Sequence, residues 1–303
     1  MLTLPVVFLS GFIVFTFLPV IYTYAPIFGT IKIVLLAGMG LLISFPLTFR
    51  NYNNDHAWRN PIFHAWIGFT MIMIMGLLGS YDRGHTLEII IGVLKVMFVL
   101  AVMIKIIDSE NRLDFVIKLF SFCGVGMAVS TVLNYLVFGK TYDGTTRALG
   151  IESGIFGDPN DLALLFNVTL PFLFYYYFHS KNRTIPFLAI GVVILAIILT
   201  YSRGGFLGLC FVLLGVTFFM KEKRRRIITL ILISFIIFIA FAPDEYRERI
   251  STIFIEAQID TETGKYPGRL QSWIDLVPVG MNSLVLGAGA GSSFYLAGIH
   301  IHD

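Results

Sequence analysis

Charged side chains are scarce in this chain: Asp, Glu, Lys and Arg together make up 14% of its 303 residues, where a soluble domain carries roughly 25%. With 56% hydrophobic residues, the chain holds more apolar side chain than one core could hide, which excludes an ordinary soluble globular domain. Cysteine is nearly absent. Cys123 and Cys210 both fall inside apolar runs, so they read as small buried hydrophobes and no disulfide framework is available. No Asp, Glu or His cluster has metal-ligand spacing, and there is no phosphate-loop, dinucleotide or DxD-like sugar-nucleotide signature. No metal, cofactor or nucleic-acid partner is expected. Internal repeats and low-complexity tracts are also missing, as are the matched interrupted helices of an inverted-repeat transporter.

What the chain does have is long hydrophobic runs. A span needs about 20 apolar residues, and the pattern predicts spans near 4–24, 27–48, 61–80, 86–107, 115–138, 161–178, 185–201, 204–220 and 227–242. The expected fold is an all-α polytopic membrane protein with about nine transmembrane helices, residues 1–242 forming the bundle and 243–303 a long loop segment. The first run is followed by further spans, so it reads as a helix and not as a cleaved signal peptide. The chain stops at Asp303 without another span, which reads as a truncation or a split reading frame.

Basic residues in the short connections set the orientation. One set of connections holds Arg50, Arg59, Lys105, Arg112, Lys118, Lys181, Arg183 and the run Lys221 to Arg226; the alternate set holds only Lys32, Arg83, Lys140, Arg147 and Arg203. The richer set is assigned to the cytoplasm, together with the N-terminus. Residues 243–303 then lie outside, in a multi-pass protein of the plasma membrane whose active face is extracytoplasmic.

That topology gathers several polar groups on the outer face. Thr200-Tyr201-Ser202-Arg203-Gly204-Gly205 separates two apolar runs, so Arg203 either snorkels to a lipid headgroup or meets an anion. Arg147 precedes Gly154-Ile155-Phe156-Gly157-Asp158-Pro159-Asn160-Asp161, where Asn160 or Asp158 can cap the next helix and its positive end. Arg269, followed by Trp273, lies in the long loop, and so do His300 and His302. Trp273 fits an interfacial anchor or a sugar platform equally. Three arginines and a histidine on one face suit a phosphorylated substrate, since guanidinium forks grip phosphate oxygens and stay charged. His302 has the pKa range for a base, and His300 is not distinguishable from it. Arg83, in the turn Tyr81 to His85, either lines the entrance or belongs to an ordinary polar turn. Lys95 is the one charge well inside a span, and either pairs within the bundle or lines a polar cavity.

Arg147 with Gly154 to Ala163, Thr200 to Gly205, Gly268-Arg269 and the glycine-spaced run Gly287-Ala288-Gly289-Ala290-Gly291, taken in this order, resemble the O-antigen ligase and polymerase family over about residues 80–303. The resemblance implies a multi-spanning, GT-C-like architecture and an inverting, metal-independent glycosyltransferase. Its donor would be a glycan on undecaprenyl diphosphate and its acceptor a lipid or sugar hydroxyl. Arg203 and Arg269 would hold the diphosphate, Arg147 and Asn160 would support binding, and His302 would activate the acceptor. His302-Asp303 is similar to the family's His-Asn pair, with Asp in place of Asn. A repeat-unit polymerase, a transporter or flippase, and an inactive truncated membrane protein are the alternatives, with Lys95 the feature that favours transport.

Overall fold

The computed structural model describes residues 4–18, 32–51, 59–139, 141–142, 147–148, 157–219, 225, 228, 274, 276–278, 280–281, 283 and 287–291. Among these residues the fold is all-α: α1 (Leu4–Phe17), α2 (Ile33–Asn51), α3 (Pro61–Gly76), α4 (Arg83–Ile106), α5 (Glu110–Leu136), α6 (Pro159–His179), α7 (Thr184–Leu199) and α8 (Arg203–Phe219). No sheet forms among them, and the only extended pairing is a single antiparallel bridge between Thr141 and Ala148.

Helix length corrects the expectation of nine spans. Among the described residues three helices are long and apolar enough to cross a membrane, α4, α5 and α6. The other apolar helices are shorter: α1 has 14 residues, α3 and α7 have 16 and α8 has 17, and the apolar part of α2 covers Ile33–Ser44. At 1.5 Å per residue, 16 residues reach only about 24 Å against a hydrocarbon core of about 30 Å. The reason lies at the helix ends. Apolar composition runs on through residues that are not helical, such as Leu77 and Leu78 after α3 and Tyr201 after α7, and hydropathy cannot tell a helix from the turn that follows it. The ninth expected run, 227–242, lies almost entirely outside the described residues.

The chain divides into two compact units, Met1–Ile43 with Ser109–Ser251, and Ser44–Asp108 with Thr252–Asp303. In the first unit α6 is the central helix. It packs against α5, α7 and α8, and α1 lies on α5. Leu162, Leu165, Phe166, Leu170, Leu173 and Phe174 of α6 meet Met127 and Ala128 of α5, Ile190, Val193, Ala196 and Ile197 of α7, and Leu209 of α8. The spacing of the α7 set places one stripe of that helix on the core. Outward positions are equally apolar, as Phe211 at 74% and Phe219 at 83% exposure illustrate, which suits helices whose other side meets hydrocarbon.

Polar contacts tie the first unit at both ends. At one end the Tyr176 hydroxyl of α6 donates to Asp114 Oδ1 of α5 at 3.0 Å, and Lys118 pairs with the same carboxylate at 2.6 Å. This joins the start of α5 to the end of α6, as an antiparallel pair requires. The opposite end collects the end of α5, the start of α6, the end of α7 and the start of α8. In the second unit α3 and α4 pack together across the turn at 77–82, and Thr70 Oγ1 of α3 bonds to Met97 Sδ of α4 at 2.8 Å.

Candidate functional site

The turn between α7 and α8 is built from its own short side chains. Thr200 folds its hydroxyl back onto the Ile197 carbonyl at 2.7 Å. Tyr201 takes the left-handed conformation, φ 49°, which glycine usually supplies at a helix end. A tyrosine there costs about 1–2 kcal/mol, and its surroundings over-determine it: the side chain is buried and its hydroxyl lies 3.4 Å from that of Tyr135, at the end of α5. Ser202 then caps α8. Its Oγ accepts the Gly205 N–H at 3.0 Å, satisfying one of the donors that every helix start leaves open. Arg203 is thereby the first residue of α8, half-buried and followed by an exposed Gly204.

The start of α6 lies against this turn. Asp158 caps it, accepting the Asn160 N–H at 2.6 Å, and Pro159 occupies the first helical position, where a missing N–H is harmless. Asn160 points its side-chain carbonyl at two donors from distant parts of the sequence. Its Oδ1 accepts Ser202 Oγ–H at 2.8 Å and Arg147 Nη2–H at 3.1 Å. The same guanidinium donates from Nε to the Thr200 carbonyl at 3.2 Å, which puts a cation at the negative end of α7. It also lies 5.8 Å from the centre of the Tyr142 ring. Backbone bonds hold it there, Ala148 N–H to Leu199 O and Tyr142 N–H to Arg147 O, both at 2.8 Å.

Below this layer Asn167 joins α6 to α8. It is buried, and its amide donates to Ala163 O at 2.8 Å and to Gly205 O at 3.0 Å. The helices approach so closely that a Cβ on Gly205 would stand 2.5 Å from the Ala163 Cβ. A glycine face on α8 therefore lets α6 and α8 bring their positive ends side by side, which favours negative charge in front of them.

Of the residues singled out from sequence, Arg147, Asn160 and Arg203 come together here. Arg147 and Asn160 are woven into the frame of the turn. Lys95 lies exposed on α4, and Arg83 is exposed at the first position of α4, after the Asp82 cap. Arg269, Trp273, His300 and His302 lie outside the described residues. Asn167, Ser202 and Tyr135 were missed as contributors. For Asn167 the signal was available: Asn160, Ala163 and Asn167 sit at i, i+3 and i+7, one face of a helix, and an amide within an apolar run needs a partner. Among the described residues no group of three or more His, Cys, Asp or Glu comes together to hold a metal ion.

Comparison with known proteins finds a likeness in the C-terminal part. Residues 187–301 match the model of the O-antigen ligase family, a stretch that opens in α7 and contains the Arg203 turn, Arg269, the glycine run and His300. No curated protein and no solved structure matches the chain.

Proposed function

We infer from the O-antigen ligase family domain at residues 187–301 that this protein is a membrane glycosyltransferase, taking a glycan from an undecaprenyl diphosphate carrier at the outer face of the plasma membrane. The single observation that carries the reading is the bracing of the Arg203 turn by Asn160, which takes hydrogen bonds from Ser202 and Arg147 together. A turn held from three helices carries Arg203 beside the positive ends of α6 and α8. Diphosphate departure needs such preorganised positive charge, because electrostatic stabilisation works when the dipoles are already aimed at the developing anion.

The reaction is an inverting displacement without a metal. The acceptor oxygen attacks the anomeric carbon while the bond from that carbon to the diphosphate oxygen breaks, and the electron pair leaves with the diphosphate. Arg203 meets the charge that builds on the leaving group. Arg269, as second phosphate ligand, and His302, as acceptor of the hydroxyl proton, take these roles on the resemblance to the family. Arg147 and Asn160 are positioning residues in this reading, acting on the diphosphate through the turn they hold.

The test is transfer in proteoliposomes by the full chain, given undecaprenyl diphosphate-linked glycan and candidate acceptors. Glycan moved intact to a new acceptor supports the ligase reaction, and a ladder of lengths on the carrier identifies repeat-unit polymerisation. Carrier-linked glycan that only changes leaflet would replace the enzyme reading with a flippase.

A further inference from the structure

Within the second unit the glycine-spaced run lies against the start of α4. Gly287, Gly289 and Gly291 all have positive φ, 71°, 88° and 79°, a conformation that an L side chain adopts only at a cost of about 1–2 kcal/mol. Space is refused as well. A Cβ on Gly289 would stand 2.5 Å from the Cβ of Ser80 and 2.8 Å from Thr86 Oγ1, and one on Gly291 would stand 2.6 Å from His85 Cδ2 and from Ile89 Cδ1. Alternate residues of the run thus lie flat on the turn before α4 and on its first two turns. Only glycine meets both demands.

A hydrogen-bonded relay fastens the run. The fully buried Thr86 hydroxyl donates to the Ala290 carbonyl at 2.9 Å. With its one hydrogen so committed, Thr86 Oγ1 accepts from Ser80 Oγ–H at 2.7 Å. The run itself is entered through a bond from Gly287 N–H to Ser283 O at 2.8 Å. Thr86 and Ala290 are 204 residues apart in sequence, so this contact pins a distant loop to a helix start.

We propose that Thr86, backed by Ser80, is a positioning residue for glycan transfer: it clamps the run 287–291, which lies within the family-matched stretch 187–301, to the start of α4. The role rests on the transferase reading above. It also explains the alternation of glycine and alanine, which a passive linker has no need of.

Two measurements on the full chain test it. In a background with Cys123→Ala and Cys210→Ala, the Thr86→Cys, Ala290→Cys double variant is treated in native membranes with a short bismaleimide. The crosslinked peptide pair is then sought by mass spectrometry. Transfer kinetics are measured in parallel for Thr86→Val, Thr86→Ser and Gly289→Ala. The proposal expects the crosslink, a fall in kcat of about tenfold to a hundredfold for Thr86→Val and Gly289→Ala, and a KM for the donor within about twofold of wild type. Thr86→Ser, which keeps the hydroxyl, is expected to restore most of kcat. Absence of the crosslink would overturn the clamp, and a Thr86→Val enzyme with wild-type kcat would overturn its role. A crosslink without any transfer by the unaltered protein would instead overturn the transferase reading, and the positioning role with it, while leaving the contact standing.

Discussion

Asn160 and Ser202 are 42 residues apart in sequence, and one 2.8 Å hydrogen bond between their side chains joins the first turn of α6 to the cap of α8. Asn160 spends the rest of its carbonyl on Arg147, so a single amide oxygen sets the relation between two helix starts and the end of a third.

Replacing Asn160 separates its acceptor role from its bulk. Asn160→Ala leaves the Ser202 hydroxyl and the Arg147 fork short of an acceptor, a loss of about 1–3 kcal/mol for partly buried groups. A lower unfolding temperature in detergent and reduced transfer are expected. Asn160→Asp keeps the acceptor and adds a charge opposite Arg147, so it should hold the unfolding temperature near that of wild type. Equal losses in the two variants would show that the shared oxygen is not what matters.

Gly205 and Ala163 should behave as a pair. Gly205→Ala places a methyl 2.5 Å from the Ala163 Cβ and 3.3 Å from Ser202 Oγ, and overpacking of this kind costs about 1–3 kcal/mol. Ala163→Gly removes the nearer obstacle. The double variant is expected to be more stable than Gly205→Ala alone in a thermal melt, a non-additivity that residues not in contact do not produce.

The Asp114–Lys118 pair supplies the contrast. Its side chains are 45% and 62% exposed, and exposed helix pairs contribute only about 0.3–0.5 kcal/mol. Asp114→Asn keeps an oxygen for the Tyr176 hydroxyl and should leave both the melt and the transfer rate close to wild type. A large loss of transfer there would place functional chemistry at the wrong end of the bundle.

Much of this was legible in the residues, for identifiable reasons. Apolar runs reported helices because both lipid and bundle core demand apolar side chains, and the Asp158-Pro159-Asn160 signal marked the start of α6 because capping is local chemistry. Span number was not legible, since composition continues past the helix ends at Leu77 and Tyr201 while the hydrogen-bond ladder stops. Arg147 could be picked out but not understood. Its partners, Thr200 and Asn160, come from two different helices, and only folding brings them within reach. Thr86 was passed over at the start of an expected span for the same reason, because its acceptor lies in the distant glycine run.

The most direct measurement is turnover of undecaprenyl diphosphate-linked glycan by Arg203→Ala, with Arg203→Lys alongside and the thermal melt of each as control. The melt separates a loss of rate from a loss of fold. Removing a charge that acts on the transition state costs about 10²–10³ in kcat, and Arg203→Ala is expected to lose at least that. Lysine returns the charge but not the planar fork and should recover part of the rate. Arg203→Ala turning over at the wild-type rate would contradict the account at its centre.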